Sequence, residues 1–197
     1  MNTLKAEKRD MLTKAKKLRR EGYVTGNIYG REMKESIPLQ ITKADAEKIL
    51  RSEGKGSQVM LELDGKTYDA LIKEVDYNPL AHTVEEVDFQ ALVSNEMVHS
   101  TAEIIMENEE KVMSGVLQDE LKEVAYKALP ADLVDKIKVD VAGMKIGDTL
   151  RVKDLEIAQN KNIHITTDLE AVIATVTPVH NVVPETETEA EETAEEK

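Results

Sequence analysis

The sequence predicts a mainly β protein with a few short helices, an α+β chain built as two β-rich domains and a polar tail. Three observations carry that reading. Apolar residues alternate in many short segments, turn pairs such as Asp64-Gly65 and Asn78-Pro79 separate those segments, and the texture changes near Ser94-Asn95. The divisions expected are 1–93, 94–180 and an acidic tail over 181–197.

In chain order, residues 10–21 (DMLTKAKKLRRE) suit a short helix that starts near Asp10 and stops at Gly22. Its apolar face is thin: Met11, Ala15 and Leu18. Residues 23–29 (YVTGNIY) read as a strand in which Gly26 permits close approach of a backbone or a ligand. Residues 36–41 alternate Ile37, Leu39 and Ile41, and Pro38 favours an edge position. Thr42 with Asp45 resembles a capping box, opening a helix that ends near Gly54. Val59, Leu61 and Leu63 then alternate up to Asp64-Gly65, a type I′ hairpin pair, with the return strand over Lys66–Val75. Thr83–Leu92 is the next strand. Further β segments are expected at Val98–Met106, Val116–Tyr126, Ile137–Val141 and Ala171–Thr177, in an antiparallel arrangement. The last stretch holds seven Glu and few apolar residues, so it cannot offset its ordering entropy and is expected to be disordered.

Composition narrows the function. The chain has 197 residues and a net charge of −13, with no Cys and no Trp. The absence of Cys rules out disulfides, thiolate metal sites and a Cys nucleophile. No apolar run reaches the roughly 20 residues of a membrane span, and the charged N-terminus lacks a signal-peptide core, so a cytoplasmic protein is expected. The charge is uneven. Residues 1–34 hold ten Lys/Arg against four Asp/Glu, whereas the remainder holds 16 against 35. A basic cluster of this kind can bind a polyanion even on an acidic molecule. The same run also suits a plain solvated helix face.

Catalytic patterns are missing. The four histidines are scattered with no metal-ligand spacing, Gly54-Lys55-Gly56-Ser57 lacks the phosphate-loop spacing and follows a helix, and no nucleophile elbow occurs. Glu85, Glu86 and Asp88 cluster, but with 39 acids in the chain neighbours arise by chance. Strand alternation puts Glu86 and Asp88 on one face and Glu85 on the other. Neither an enzyme nor a cofactor is expected. Nucleic-acid binding fits better: Arg9, Lys14, Lys16, Lys17, Arg19 and Arg20 can track phosphates, and nearby Tyr23 and Tyr29 can stack on bases or simply pack in the fold. Asp88 would accept from a base amino group or orient an Arg.

The segment KKLRREGYVTGNIYG resembles the R-R-L-R-x-x-G-x-x-P-x-x-x-Y-G segment of the bacterial 5S-rRNA-binding ribosomal proteins of the general-stress-protein Ctc type. LIKEVDYNPLAHTVEEVDFQAL is similar to the family segment that closes on H-V-D-F. GVLQDELKEVAYKALPADLVDKIKVDVAGMKIGDTLRVKDLEI resembles the C-terminal β domain of its longer members. The likeness spans about residues 3–178. It implies a barrel-like N-terminal domain that binds 5S rRNA on its minor-groove side, followed by a β-rich domain. That second domain is expected to meet neighbouring ribosomal proteins, and the protein is expected to be a monomer off the ribosome. Carried over by position, Arg9, Arg19, Arg20, Tyr29 and Asp88 match RNA-touching positions, with Lys14, Lys16 and Lys17 as phosphate contacts. Three departures stand out. Met11-Leu12-Thr13 replaces the family's Gly-Lys-Gly, Thr25 replaces its Pro, and Glu86 stands where its histidine does. A carboxylate there repels phosphate, which supports a rival expectation: an acidic stress or interaction paralogue that keeps the fold and has weakened or lost rRNA binding.

Overall fold

The computed structural model describes residues 2–112 and 115–178. The expected disordered tail, 181–197, lies outside the described residues. Six strands close a barrel: β1 (Thr3–Lys8), β2 (Tyr23–Tyr29), β3 (Ile37–Thr42), β4 (Gln58–Leu63), β5 (Lys66–Asn78) and β6 (Thr83–Ala91), in the order β1-β3-β2-β6-β5-β4. Two parallel seams, β1–β4 and β2–β6, close it, and the other pairings are antiparallel. Leu39, Val59, Leu61, Ile72 and Phe89 fill the interior, each fully buried. Aliphatic side chains thus supply almost the whole core of a chain with a single Phe.

The periodicity reading missed β1, because Thr3–Lys8 presents only Leu4 and Ala6 to the core while Lys5, Glu7 and Lys8 face water. It overextended the first helix. α1 runs only over Ala15–Arg20. The backbone N–H of Leu12 donates to Asp10 Oδ1 at 2.9 Å and that of Thr13 to Asp10 O at 3.1 Å, so Asp10 closes a turn instead of capping a helix. Leu18 alone is buried on α1, and Met11, assigned to its apolar face, lies out in solvent. Pro38 sits second in β3, between β1 and β2, where a missing N–H is tolerated near a strand start; it marks no edge.

Two local signals of the barrel hold. Thr42 accepts from the Asp45 N–H at 3.2 Å and caps α2 (Lys43–Ser52). Asp64 and Gly65 both take positive φ in the β4–β5 turn, as a type I′ pair requires.

Beyond the barrel, two sheets enclose a second core of Val124, Tyr126, Val152 and Ile173, among others. One sheet orders β10-β7-β9-β12, with β7 (Val98–Glu107), β9 (Glu123–Ala128), β10 (Lys136–Asp140) and β12 (His164–Ile165). The other orders β11-β13-β8, with β8 (Val116–Asp119), β11 (Thr149–Arg151) and β13 (Val172–Thr177). Two expectations are corrected. The strand expected over Val116–Tyr126 is two strands in different sheets, broken at Glu120-Leu121, whose N–H groups both donate to Ile173 O. The arrangement is not wholly antiparallel either: β10 runs parallel to β7 after a short 3₁₀ turn at Pro130–Asp132.

The Gly54-Lys55-Gly56-Ser57 stretch is a tightly packed turn. The Gly56 N–H donates to Ile72 O at 2.8 Å and Ser100 Oγ donates to Gly56 O at 3.2 Å. A Cβ on Gly56 would lie 1.9 Å from Thr101 O, so a bare backbone is what lets β7 lie against the barrel.

Candidate nucleic-acid interface

The parallel seam between β2 and β6 organises this face. Thr25 lies opposite Glu86, Ile28 opposite Phe89 and Tyr29 opposite Gln90. Between those rungs Gly26 passes so near β6 that a Cβ there would sit 1.9 Å from Val87 O. The close approach expected at Gly26 is therefore that of a backbone. One residue on, the backbone N–H of Asn27 donates to Asp88 Oδ1 at 2.9 Å, and its side-chain amide donates to the same oxygen at 3.3 Å. Asp88 thus orients Asn27, not an arginine.

Arg19 is held by two other carboxylates. Its Nη1 lies 2.9 Å from Glu85 Oε2, its Nη2 lies 3.8 Å from Glu86 Oε2, and its Nε donates to Glu85 O at 3.2 Å. Strand alternation alone would have turned Glu85 away from Glu86. The pairing explains why it does not: Asp76 faces Glu86 but Tyr77 faces Val84, so Glu85 is an extra, bulged residue. Both carboxylates consequently reach one guanidinium.

The remaining expected residues are spread around this centre. Arg9 follows β1, partly buried; its Nη2 donates to Thr13 O at 3.2 Å, and its Nε is buried with no partner among the described residues. Lys14 caps α1 without a side-chain bond. Lys16, Lys17 and Arg20 point into solvent, with Lys17 3.7 Å from Glu21. Tyr29 is 38% exposed at the end of β2. Its hydroxyl is held above the ordinary tyrosine range by burial, then by Asp88 and Glu74, so it stays a hydrogen-bond donor.

An acidic ladder on this face is visible only once the strands are paired. Glu74 lies opposite Asp88 and Asp76 opposite Glu86 on β5 and β6, and like charges directly opposite destabilise a sheet. The signal was present as two alternating acidic pairs, Glu74/Asp76 and Glu86/Asp88, but only the register shows them to be neighbours. Burial, then Asp88 and Asp76, push the Glu86 carboxyl above its usual range against the pull of Arg19 and Arg9. With the folded pKa raised, this group's contribution to stability is complete below the unfolded pKa and is lost as pH rises through the folded value. Glu86→Gln is therefore expected to raise the melting temperature at pH 7–8 by about 1–2 °C. The gain should vanish near pH 4, as a pair of melting series would show; an equal gain at both pH values would contradict the assignment.

Among the described residues no group of three or more acids and histidines is arranged to hold a metal, and no helix is long and apolar enough to cross a membrane.

Comparison with known proteins adds what geometry alone does not. The Ribosomal L25p family pattern matches residues 4–89, and that of the ribosomal protein TL5 C-terminal domain matches residues 97–180. A protein of Caldanaerobacter subterraneus subsp. tengcongensis, named large ribosomal subunit protein bL25, is 32% identical over 196 residues, covering 98% of each chain. The chain belongs to the ribosomal L25p family. Two further bL25 proteins are similar over most of their length. That of Caldicellulosiruptor bescii is 33% identical, covering 95% of this chain and 94% of its own. That of Bacillus velezensis is 31% identical, covering 90% and 89%. The L25p family consists of ribosomal proteins and not of enzymes, which disposes of carboxylate catalysis at Glu85, Glu86 and Asp88. Near full-length likeness to bL25 proteins also favours the ribosomal reading over the acidic-paralogue rival.

Proposed function

We propose that this chain is a structural component of the large ribosomal subunit, working in the cytoplasm, whose barrel binds 5S rRNA through residues 9–30 and the outer face of β6. The observation that carries the reading is the β2–β6 seam, which sets Arg19, Tyr29 and the Asn27–Asp88 pair on one face beside the cationic α1. Residues 1–93 form the RNA-binding unit in this reading, and residues 94–180 are free to meet neighbouring ribosomal proteins. Off the ribosome the protein is a monomer, and it needs no cofactor.

The chemistry is divided. Arg9, Lys14, Lys16, Lys17, Arg19 and Arg20 neutralise phosphates and release counterions, a term that sets affinity but reads no sequence. The ladder of Glu74, Asp76, Glu86 and Asp88 repels phosphate and accepts hydrogen bonds. It therefore favours 2′-hydroxyl and base-amino donors, which a wide RNA minor groove displays. Attraction at α1 beside repulsion on the sheet constrains the pose of the helix, and such repulsive elements supply specificity. Binding to purified 5S rRNA in competition with an unrelated structured RNA tests the reading. Selective retention is expected, and equal displacement by both RNAs would overturn it.

A further inference from the structure

A second basic surface lies where the barrel meets the four-stranded sheet. A cleft of about 330 Å³ opens there, lined by Tyr29, Lys55, Lys73 and His99 among others. Lys73 occupies it because of an irregularity in β5. Ile72 faces Phe89 and Glu74 faces Asp88, leaving Lys73 as the bulged residue, and bulges re-aim side chains. Its Nζ donates to His99 O across the junction at 2.7 Å.

His99 begins a row that crosses the sheet. It lies opposite Lys127 on β9, and Lys127 lies opposite His164 on β12. Directly opposed residues of antiparallel strands share a face, so the three side chains stand side by side, away from the core. Burial and then Lys55 hold Lys73 below the ordinary lysine range, and burial, then Lys127 and Lys73, hold His99 below the ordinary histidine range. Two acids attend the row, Glu74 beside Lys73 and Glu123 at 3.3 Å from Lys55. Lys127 has no ion pair among the described residues, and the next acidic rung, Glu103 opposite Glu123, bounds the patch on its far side. Gathering like charges costs folding free energy, here on a chain whose net charge is −13.

We propose that Lys73, His99, Lys127 and His164 form a second RNA-backbone contact, continuing the barrel interface past Tyr29 onto the C-terminal sheet. The inference rests on the 5S rRNA reading above. Tyr29 borders both surfaces, so one RNA strand leaving the β2–β6 face meets the cleft next. The lysines neutralise phosphate, while the imidazoles present N–H donors to phosphate or 2′-hydroxyl oxygens.

Two measurements on full-length protein with purified 5S rRNA test it. In wild-type protein, acylation of Lys127 mapped by mass spectrometry should drop severalfold when the RNA is bound. In the double variant Lys73→Gln, Lys127→Gln, affinity should fall about 3- to 30-fold and the slope of log affinity against log salt should lessen by about 1–2. Wild-type protein that fails to bind 5S rRNA would end the functional reading itself. Wild-type binding that leaves Lys127 fully acylated would overturn only the second contact, even if the variant does not fold. A folded variant with unchanged affinity and slope would do the same.

Discussion

Replacing Arg19 and Arg20 together by alanine is expected to lower affinity for 5S rRNA by about 10- to 1,000-fold, with each charged contact worth about 1.5–3 kcal/mol at most. The slope of log affinity against log salt should lessen by about two, one counterion per lost phosphate contact. The two residues should not contribute equally. Arg20 is a solvent-exposed cation at the end of α1, and its loss removes attraction alone. Arg19 also neutralises Glu85 and Glu86, at 2.9 and 3.8 Å. Its removal leaves two carboxylates uncompensated on the binding face, so Arg19→Ala should be the more damaging single change. Melting curves on the same variants separate binding from folding. Affinity and slope that stay at wild-type values in folded double variant would contradict the assignment.

Gly26→Ala is expected to destabilise the protein by about 3 kcal/mol, at the upper end of overpacking effects. The added methyl would start 1.9 Å from Val87 O, a backbone atom with no rotamer to move. Relief requires β2 and β6 to separate, and their pairing is one of the two parallel seams that close the barrel. Separation also lengthens the bond between the Asn27 N–H and Asp88 Oδ1. Chemical denaturation should therefore show a lowered midpoint, with RNA affinity reduced even where the protein remains folded. A midpoint within about 0.5 kcal/mol of wild type would show that the seam yields more easily than this geometry allows.

Much of the fold was legible because local chemistry and tertiary pairing agree. Asp64-Gly65 dictates its turn, Thr42 its helix start, and the alternation of Val59, Leu61 and Leu63 its strand. What stayed hidden depends on pairing between distant segments. β1 carries too few apolar residues to announce a strand, yet Leu4 and Ala6 suffice once β3 and β4 flank it. The break between β8 and β9 has no Gly or Pro to mark it, and it exists because each half bonds to a different sheet.

The candidate site divides in the same way. The cations of α1 could be read directly, since a charge cluster is a property of the linear sequence. The partners of Arg19 could not: a bulge at Glu85 defeats the alternation rule, and a bulge is a matter of register. The same holds for Lys73, which looks like any strand lysine until β5 is paired with β6. Asp88 stands out in the sequence as a carboxylate near a basic segment, but its partner Asn27 is fixed only by the parallel seam.

The most direct test of the central claim is a salt titration of binding between full-length wild-type protein and purified 5S rRNA, with an unrelated structured RNA as competitor. Selective binding is expected, with log affinity falling linearly with log salt and a slope that reflects several phosphate contacts. Absence of binding at low salt would contradict it, and would mean that Glu86 and the acidic ladder outweigh the cations of α1.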